Sequence, residues 1–143
     1  MIVGIDPDLE KSGVALLGDN GLQLMNLTFF DLCGILEIER KKIKKVYVEA
    51  GWLNKKSNFH NIDKDMPIYK RLAICEKVAK NVGENHATGK LIAEMAEGIG
   101  LDVVLVKPTS KKLDKDQFRK VTGYGKRTNQ EQRDAAMLIW SRR

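Results

Sequence analysis

Four acids in this sequence stand where a carboxylate can do chemistry. Asp6 closes the apolar run Ile2-Val3-Gly4-Ile5, and Glu49 closes Val46-Tyr47-Val48. A carboxylate in such a place loses solvation unless it faces water, a partner or a cation. The ends of central strands are also where sheet proteins assemble their sites. Glu131 and Asp134 are three residues apart, which puts them on one face of a helix. Directly after them comes Ala135-Ala136-Met137-Leu138-Ile139-Trp140, apolar nearly all round, so Asp134 is expected at the edge of the core. Each acid also has a plain structural reading: Asp6 as a turn former before Pro7, Glu49 as a solvated strand end, Glu131 and Asp134 as first-turn acids that complement the helix dipole. Acids gathered from three separated elements are harder to explain that way, because clustered carboxylates repel one another unless cations neutralise them. Oxygen-only ligands suit Mg²⁺ or Mn²⁺, and no Cys/His set here suits zinc. Two such ions about 4 Å apart can clamp a phosphodiester for in-line hydrolysis.

The elements that must position these acids follow from the apolar pattern. Strands are expected over 2–6, 14–17 and 22–29, with Gly18-Asp19-Asn20-Gly21 as the hairpin turn between the second and third. A helix is expected over 32–42, a short buried strand over 46–49 and a mobile polar loop over 54–65. Pro67 opens a long helix to Gly98, whose apolar positions Leu72, Cys75, Val78 and Ala79 follow the helical period. Gly83 or Asn85 is a candidate interruption. A strand over 101–106 and helices over 113–121 and 129–140 complete the chain. Three antiparallel strands followed by alternating helix and strand predict an α/β fold, a mixed five-stranded sheet with helices on both faces.

Bulk properties bound the function. The 143 residues are 43% hydrophobic and 31% charged, the composition of one globular domain spanning 1–143. Lys and Arg number 25 against 19 Asp and Glu, a net charge of +6 that suits a polyanion or simply serves solubility. Cys33 and Cys75 lie in apolar segments without CxxC spacing and read as buried reduced thiols, a usage that fits the cytoplasm. No apolar run reaches the roughly 20 residues of a membrane span, and the N-terminus reads as a core strand rather than a signal peptide.

Five motifs in order resemble the RuvC family of Holliday junction resolvases, which has the ribonuclease H-like fold. They are Gly4-Ile5-Asp6-Pro7-Asp8 with Ser12-Gly13-Val14-Ala15; Val46-Tyr47-Val48-Glu49-Ala50; Gly83-Glu84-Asn85-His86-Ala87-Thr88-Gly89; Val121-Thr122-Gly123-Tyr124-Gly125; and Glu131-Gln132-Arg133-Asp134-Ala135-Ala136. Together they cover nearly the whole chain. The resemblance implies that Asp6, Glu49 and Asp134 are metal ligands with Glu131 as the fourth acidic position, all serving two Mg²⁺ or Mn²⁺ ions. It implies a homodimer that nicks two strands of a four-way DNA junction and leaves 5′-phosphate ends. Asp8 stands where the family carries Gly, a place where Asp tolerates a left-handed backbone. Glu131 stands where the family carries Asp or His.

Other residues have two readings each. Trp52, three residues after Glu49 where the family carries an aromatic near the crossover, is a stacking platform for an unpaired base or a side chain folded back onto the core. Phe59 and Tyr69 are weaker versions of the same idea. Lys55, Lys56, Lys107, Lys111, Lys112, Arg119, Lys120, Lys126 and Arg127 flank the acid motifs as candidate phosphate contacts, or are solvated surface. Gly123 and Gly125 make a turn or permit close backbone approach. His60 and His86 join no nucleophile or ligand set and read as surface or core residues, and Met95 and Met137 as core filler.

Three functions compete. A structure-selective DNA endonuclease acting on Holliday junctions and other branched DNA comes first. A YqgF-type RNA-processing nuclease of the same fold comes second, and an inactive nucleic-acid-binding module third. An actin-like ATPase, which also opens with Gly-Ile-Asp, needs a second similar domain, for which 143 residues leave no room.

Overall fold

The computed structural model describes residues 1–55, 63 and 65–142. Five strands, β1 (Ile2–Asp6), β2 (Ser12–Gly18), β3 (Gly21–Leu27), β4 (Lys45–Glu49) and β5 (Val103–Val106), form one sheet in the order β3-β2-β1-β4-β5. The first three are antiparallel neighbours; β1–β4 and β4–β5 are parallel. Among the described residues, four α-helices accompany them: α1 (Phe29–Ile38), α2 (Ile68–Gly98), α3 (Lys115–Thr122) and α4 (Gln130–Trp140).

Strand alternation sorts side chains between two cores. Val3, Ile5, Val46 and Val48 face Leu32 and Leu36 of α1 and Ile92 and Ala96 of α2. On the other face, Ile2 and Tyr47 pack with Ala15, Phe118 of α3 and Ala135, Ala136, Leu138 and Ile139 of α4. Asp6 and Glu49 have the parity of Ile2 and Tyr47, so they point to the α4 side. Helices on both faces of a mixed five-stranded sheet is the expected architecture.

The boundaries moved for local reasons. Phe29, expected at the end of the third strand, begins α1, because Thr28 Oγ1 accepts from Asp31 N at 3.2 Å and caps the helix. That helix stops at Ile38 rather than 42. A strand expected from residue 101 starts at Val103, after Gly100 has taken φ +85°. α3 begins after Asp114, whose carboxylate accepts from Asp116 N and Gln117 N while Gln117 reaches back to Asp114 N, a capping box. It ends at Gly123, φ +72°, which settles that glycine as a helix terminator.

α2 runs unbroken through Gly83 and Asn85, so the expected interruption does not occur. Its buried residues are Thr88, Gly89, Ile92, Ala93 and Ala96, all in the C-terminal part. Leu72 is exposed and Cys75 and Val78 are half-buried, so the apolar period of the N-terminal part is not covered by the sheet. Cys33 and Cys75 are free thiols, as expected, but only partly buried. Among the described residues no helix is long and apolar enough to cross a membrane.

Candidate active site

The register places the first two acids side by side. Ile5 pairs with Val48 in parallel strands, so the next residues, Asp6 and Glu49, end neighbouring strands on one face of the sheet. Asp6 also pairs with Gly13 across β2.

α4 brings the other two acids, and glycines let it come close. A Cβ at Gly4 would sit 2.2 Å from the Ala135 carbonyl oxygen, and one at Gly13 would sit 2.3 Å from that of Glu131. Helix backbone therefore lies directly on strand backbone at the level of Asp6. Asn129 caps α4 by accepting from Gln132 N at 2.9 Å, with Gln132 returning the bond.

Asp134 is buried, at 8% exposure, at the edge of the core as expected. Lys112 Nζ lies 2.5 Å from its Oδ2, and Gln130 Nε2 donates to its Oδ1 at 2.7 Å. Gln130 is held in turn by Arg133 Nη2 at 2.7 Å, and Arg133 also donates to the Leu113 and Thr128 carbonyls. Glu131 turns toward β3, where its Oε2 accepts from Asn26 Nδ2 at 3.2 Å and Asn129 Nδ2 at 2.9 Å.

The four acids share one electrostatic environment. Burial first, then the charges of Glu49 and Asp134, push the Asp6 carboxyl up to about 8, with Lys112 opposing and Glu131 adding to the rise. Glu49 is also raised, by burial and by Asp134 against the pull of Lys112. Burial works against the Lys112 ammonium, but its hydrogen bond to Asp134 and the charges of Asp134, Asp6 and Glu49 outweigh it and raise its pKa. As the side chains stand, no three His, Cys, Asp or Glu of the described residues converge closely enough to share an ion. The donor set nevertheless fits a hard divalent cation: all its donors are carboxylate oxygens, they repel one another, and the ammonium set among them fills the role of a counter-charge.

Among the described residues, two of the clefts open on this cluster. One, about 370 Å³, is lined by Asp6, Glu49, Glu131 and Lys112 together with Trp52, Asn85 and His86. The second, about 210 Å³, holds Glu49, Asp134, Lys111 and Lys112. A larger cleft of about 640 Å³ lies at the other end of the sheet, between the β2–β3 turn and the end of α1. It contains none of the coupled acids.

Of the basic residues expected to meet phosphate, Lys112 enters the acid cluster and Lys111 lines the neighbouring cleft. Lys55, Lys107, Arg119, Lys120, Lys126 and Arg127 are exposed. Lys56, Phe59 and His60, with most of the loop expected over 54–65, lie outside the described residues. Trp52, in the 3₁₀ turn Gly51–Leu53, is half-buried against α2: a Cβ on Gly89 would lie 2.7 Å from its Cζ3, and Lys90 Nζ is 5.9 Å from its ring centre. Asp8 needs no left-handed backbone, since among the described residues only glycines have positive φ. Its Oδ1 accepts from Glu10 N and Lys11 N, and Ser12 Oγ clasps its main chain. Gln130, Arg133, Asn26 and His86 are site residues that the sequence did not reveal. Of these, only Gln130 carried a local signal, its spacing of four from Asp134 on a helix.

A scan against family models finds no match, nor does a search of curated proteins. Among solved structures, the chain is similar to Thermus thermophilus RuvC in complex with a Holliday junction substrate. The TM-score is 0.52 and the identity 15%, covering 96% of this chain and 88% of that one. At that identity the likeness establishes the fold, a RuvC-like, ribonuclease H-like arrangement.

Proposed function

We propose that this protein is a structure-selective DNA endonuclease, hydrolysing phosphodiesters at Holliday junctions and other branched DNA with Mg²⁺ or Mn²⁺. The observation that carries the reading is the meeting of Asp6 and Glu49, at adjacent strand ends, with Glu131 and Asp134 on α4, in a fold similar to that of a junction-bound RuvC.

Asp6, Glu49 and Asp134 would hold the cations, with Glu131 as the fourth acid. Bound there, two divalent ions would neutralise the carboxylates, activate water and stabilise the leaving oxygen. The chain's own residues do the rest. Gln130 and Lys112 hold both oxygens of Asp134, fixing its carboxylate plane. Asn26 and Asn129 restrain Glu131 on the β3 side, so its longer arm does not crowd Asp6. Lys112 and the exposed Lys107 and Lys111 offer cations where a phosphate backbone would approach, with Lys126 and Arg127 ahead of α4.

A homodimer belongs to the same reading. Ile68, Tyr69 and Leu72, 65%, 67% and 62% exposed, give α2 an apolar surface suited to a second copy.

Asp6→Asn or Glu49→Gln is expected to abolish cleavage of a four-way junction while leaving junction binding measurable. Full cleavage by both variants overturns the assignment. A parallel gel with a fork, a duplex and structured RNA tests the substrate class, and cleavage of RNA alone would favour an RNA-processing role.

A further inference from the structure

We propose that His86 is a substrate-contacting residue whose imidazole donates a hydrogen bond to a phosphate oxygen beside the scissile bond; this rests on the endonuclease reading above.

The residue reaches the site through α2, which carries none of the four site acids, and lines the cleft that also holds Asp6, Glu49 and Lys112. The neighbouring Asn85 fixes the helix at this level: its Oδ1 accepts from Leu9 N at 3.2 Å and its Nδ2 donates to Asp8 Oδ2 at 3.4 Å. α2 is thereby tied to the turn that directly follows Asp6. The ring is held as well. It meets Trp52 edge to face with centroids 6.1 Å apart. A Cβ at Gly51 would sit 2.7 Å from His86 Nε2, so the chain leaves Glu49 through a glycine that makes room for the imidazole.

Nothing among the described residues uses the polar atoms so positioned. Among the described residues the imidazole has neither hydrogen bond nor ion pair, whereas Asn85 beside it spends its amide on the turn. A carboxylate-lined cleft repels phosphate unless donors face it, and Lys112 in the same lining must divide its donors between phosphate and Asp134. An imidazole carries an N–H donor in its neutral form, so the contact needs no change of protonation. Held by Trp52 and Gly51, it gives up little freedom when the backbone arrives.

Two variants separate this role from simple packing. His86→Phe keeps a ring against Trp52 and deletes the donor; His86→Gln keeps a donor and deletes the ring. Single-turnover cleavage of a four-way junction in Mg²⁺, with junction affinity measured in parallel in EDTA, is expected to slow about tenfold or more for Phe and less for Gln, with both variants folded by circular dichroism. If the Phe variant does not fold, His86→Leu takes its place. Phe or Leu cleaving as fast as wild type, or Gln slower than either, overturns the proposal. Those outcomes require an active wild type and leave the endonuclease reading standing, whereas a wild type inert on every branched, duplex and RNA substrate overturns that reading and His86's role with it.

Discussion

α4 and the N-terminal part of α2 are both helices with an apolar period, yet the fold treats them in opposite ways. α4 is pressed onto β1 and β2 until its carbonyls meet the strands at Gly4 and Gly13, and Ala135, Ala136 and Ile139 are fully buried. Residues 68–87 of α2 contribute no buried side chain, and Ile68, Tyr69 and Leu72 stand in solvent. The difference follows from side-chain size. Small residues on both sides allow backbones to touch and hold Glu131 and Asp134 to within a hydrogen bond of their partners. The large apolar residues at the start of α2 have no facing surface among the described residues and add little to that packing.

The close docking of α4 is most readily lost at the glycines. Gly13→Val places a side chain where the Glu131 carbonyl lies, and is expected to cost roughly 3 kcal/mol in urea unfolding and to lose junction cleavage. An unchanged midpoint would mean that α4 is not held by that approach.

A second effect concerns the charge that close docking concentrates. The unfolded Asp6 loses its proton near 3.8, whereas the folded one keeps it to about 8. Between those values the folded state binds the extra proton, so the metal-free protein should lose stability as pH rises from about 4 to about 8. Asp6→Asn removes this dependence. Its melting temperature should exceed that of wild type by several degrees at pH 8 and match it below pH 4, and Mg²⁺ should narrow the gap at pH 8 by stabilising wild type. Parallel melting curves across that range would remove the repulsion from the account.

The least effect on folding belongs to α2. Leu72→Lys should change monomer stability by no more than about 0.5 kcal/mol while weakening self-association in sedimentation experiments. A variant that associates as wild type would remove this face of α2 from the proposed dimer.

Much of the site was readable one segment at a time. Asp6 and Glu49 announced themselves by ending apolar runs, and Asp134 by preceding a helix apolar nearly all round. The starts of α3 and α4 were less plain, although Asp114 with Gln117 and Asn129 with Gln132 carry the three-residue spacing of a capping box. Apart from Gln130, the partners of the acids were not legible as partners. Lys112, 22 residues from Asp134, stood out only as a candidate phosphate contact, and nothing near Asn26, 105 residues from Glu131, distinguishes it from a solvated polar residue. His86 was equally silent, because its place depends on Gly51 and Trp52 meeting α2.

The sequence by itself determined the alternation that sends Asp6 and Glu49 to one face and the valines to the other, since side-chain direction in a strand has a period of two. It also determined that Asp134 precedes a helix apolar nearly all round. Only the tertiary structure decided which cation stands among the acids, which amides restrain them and which helix closes the cleft. Those contacts join distant parts of the chain, and no local spacing encodes a meeting in space.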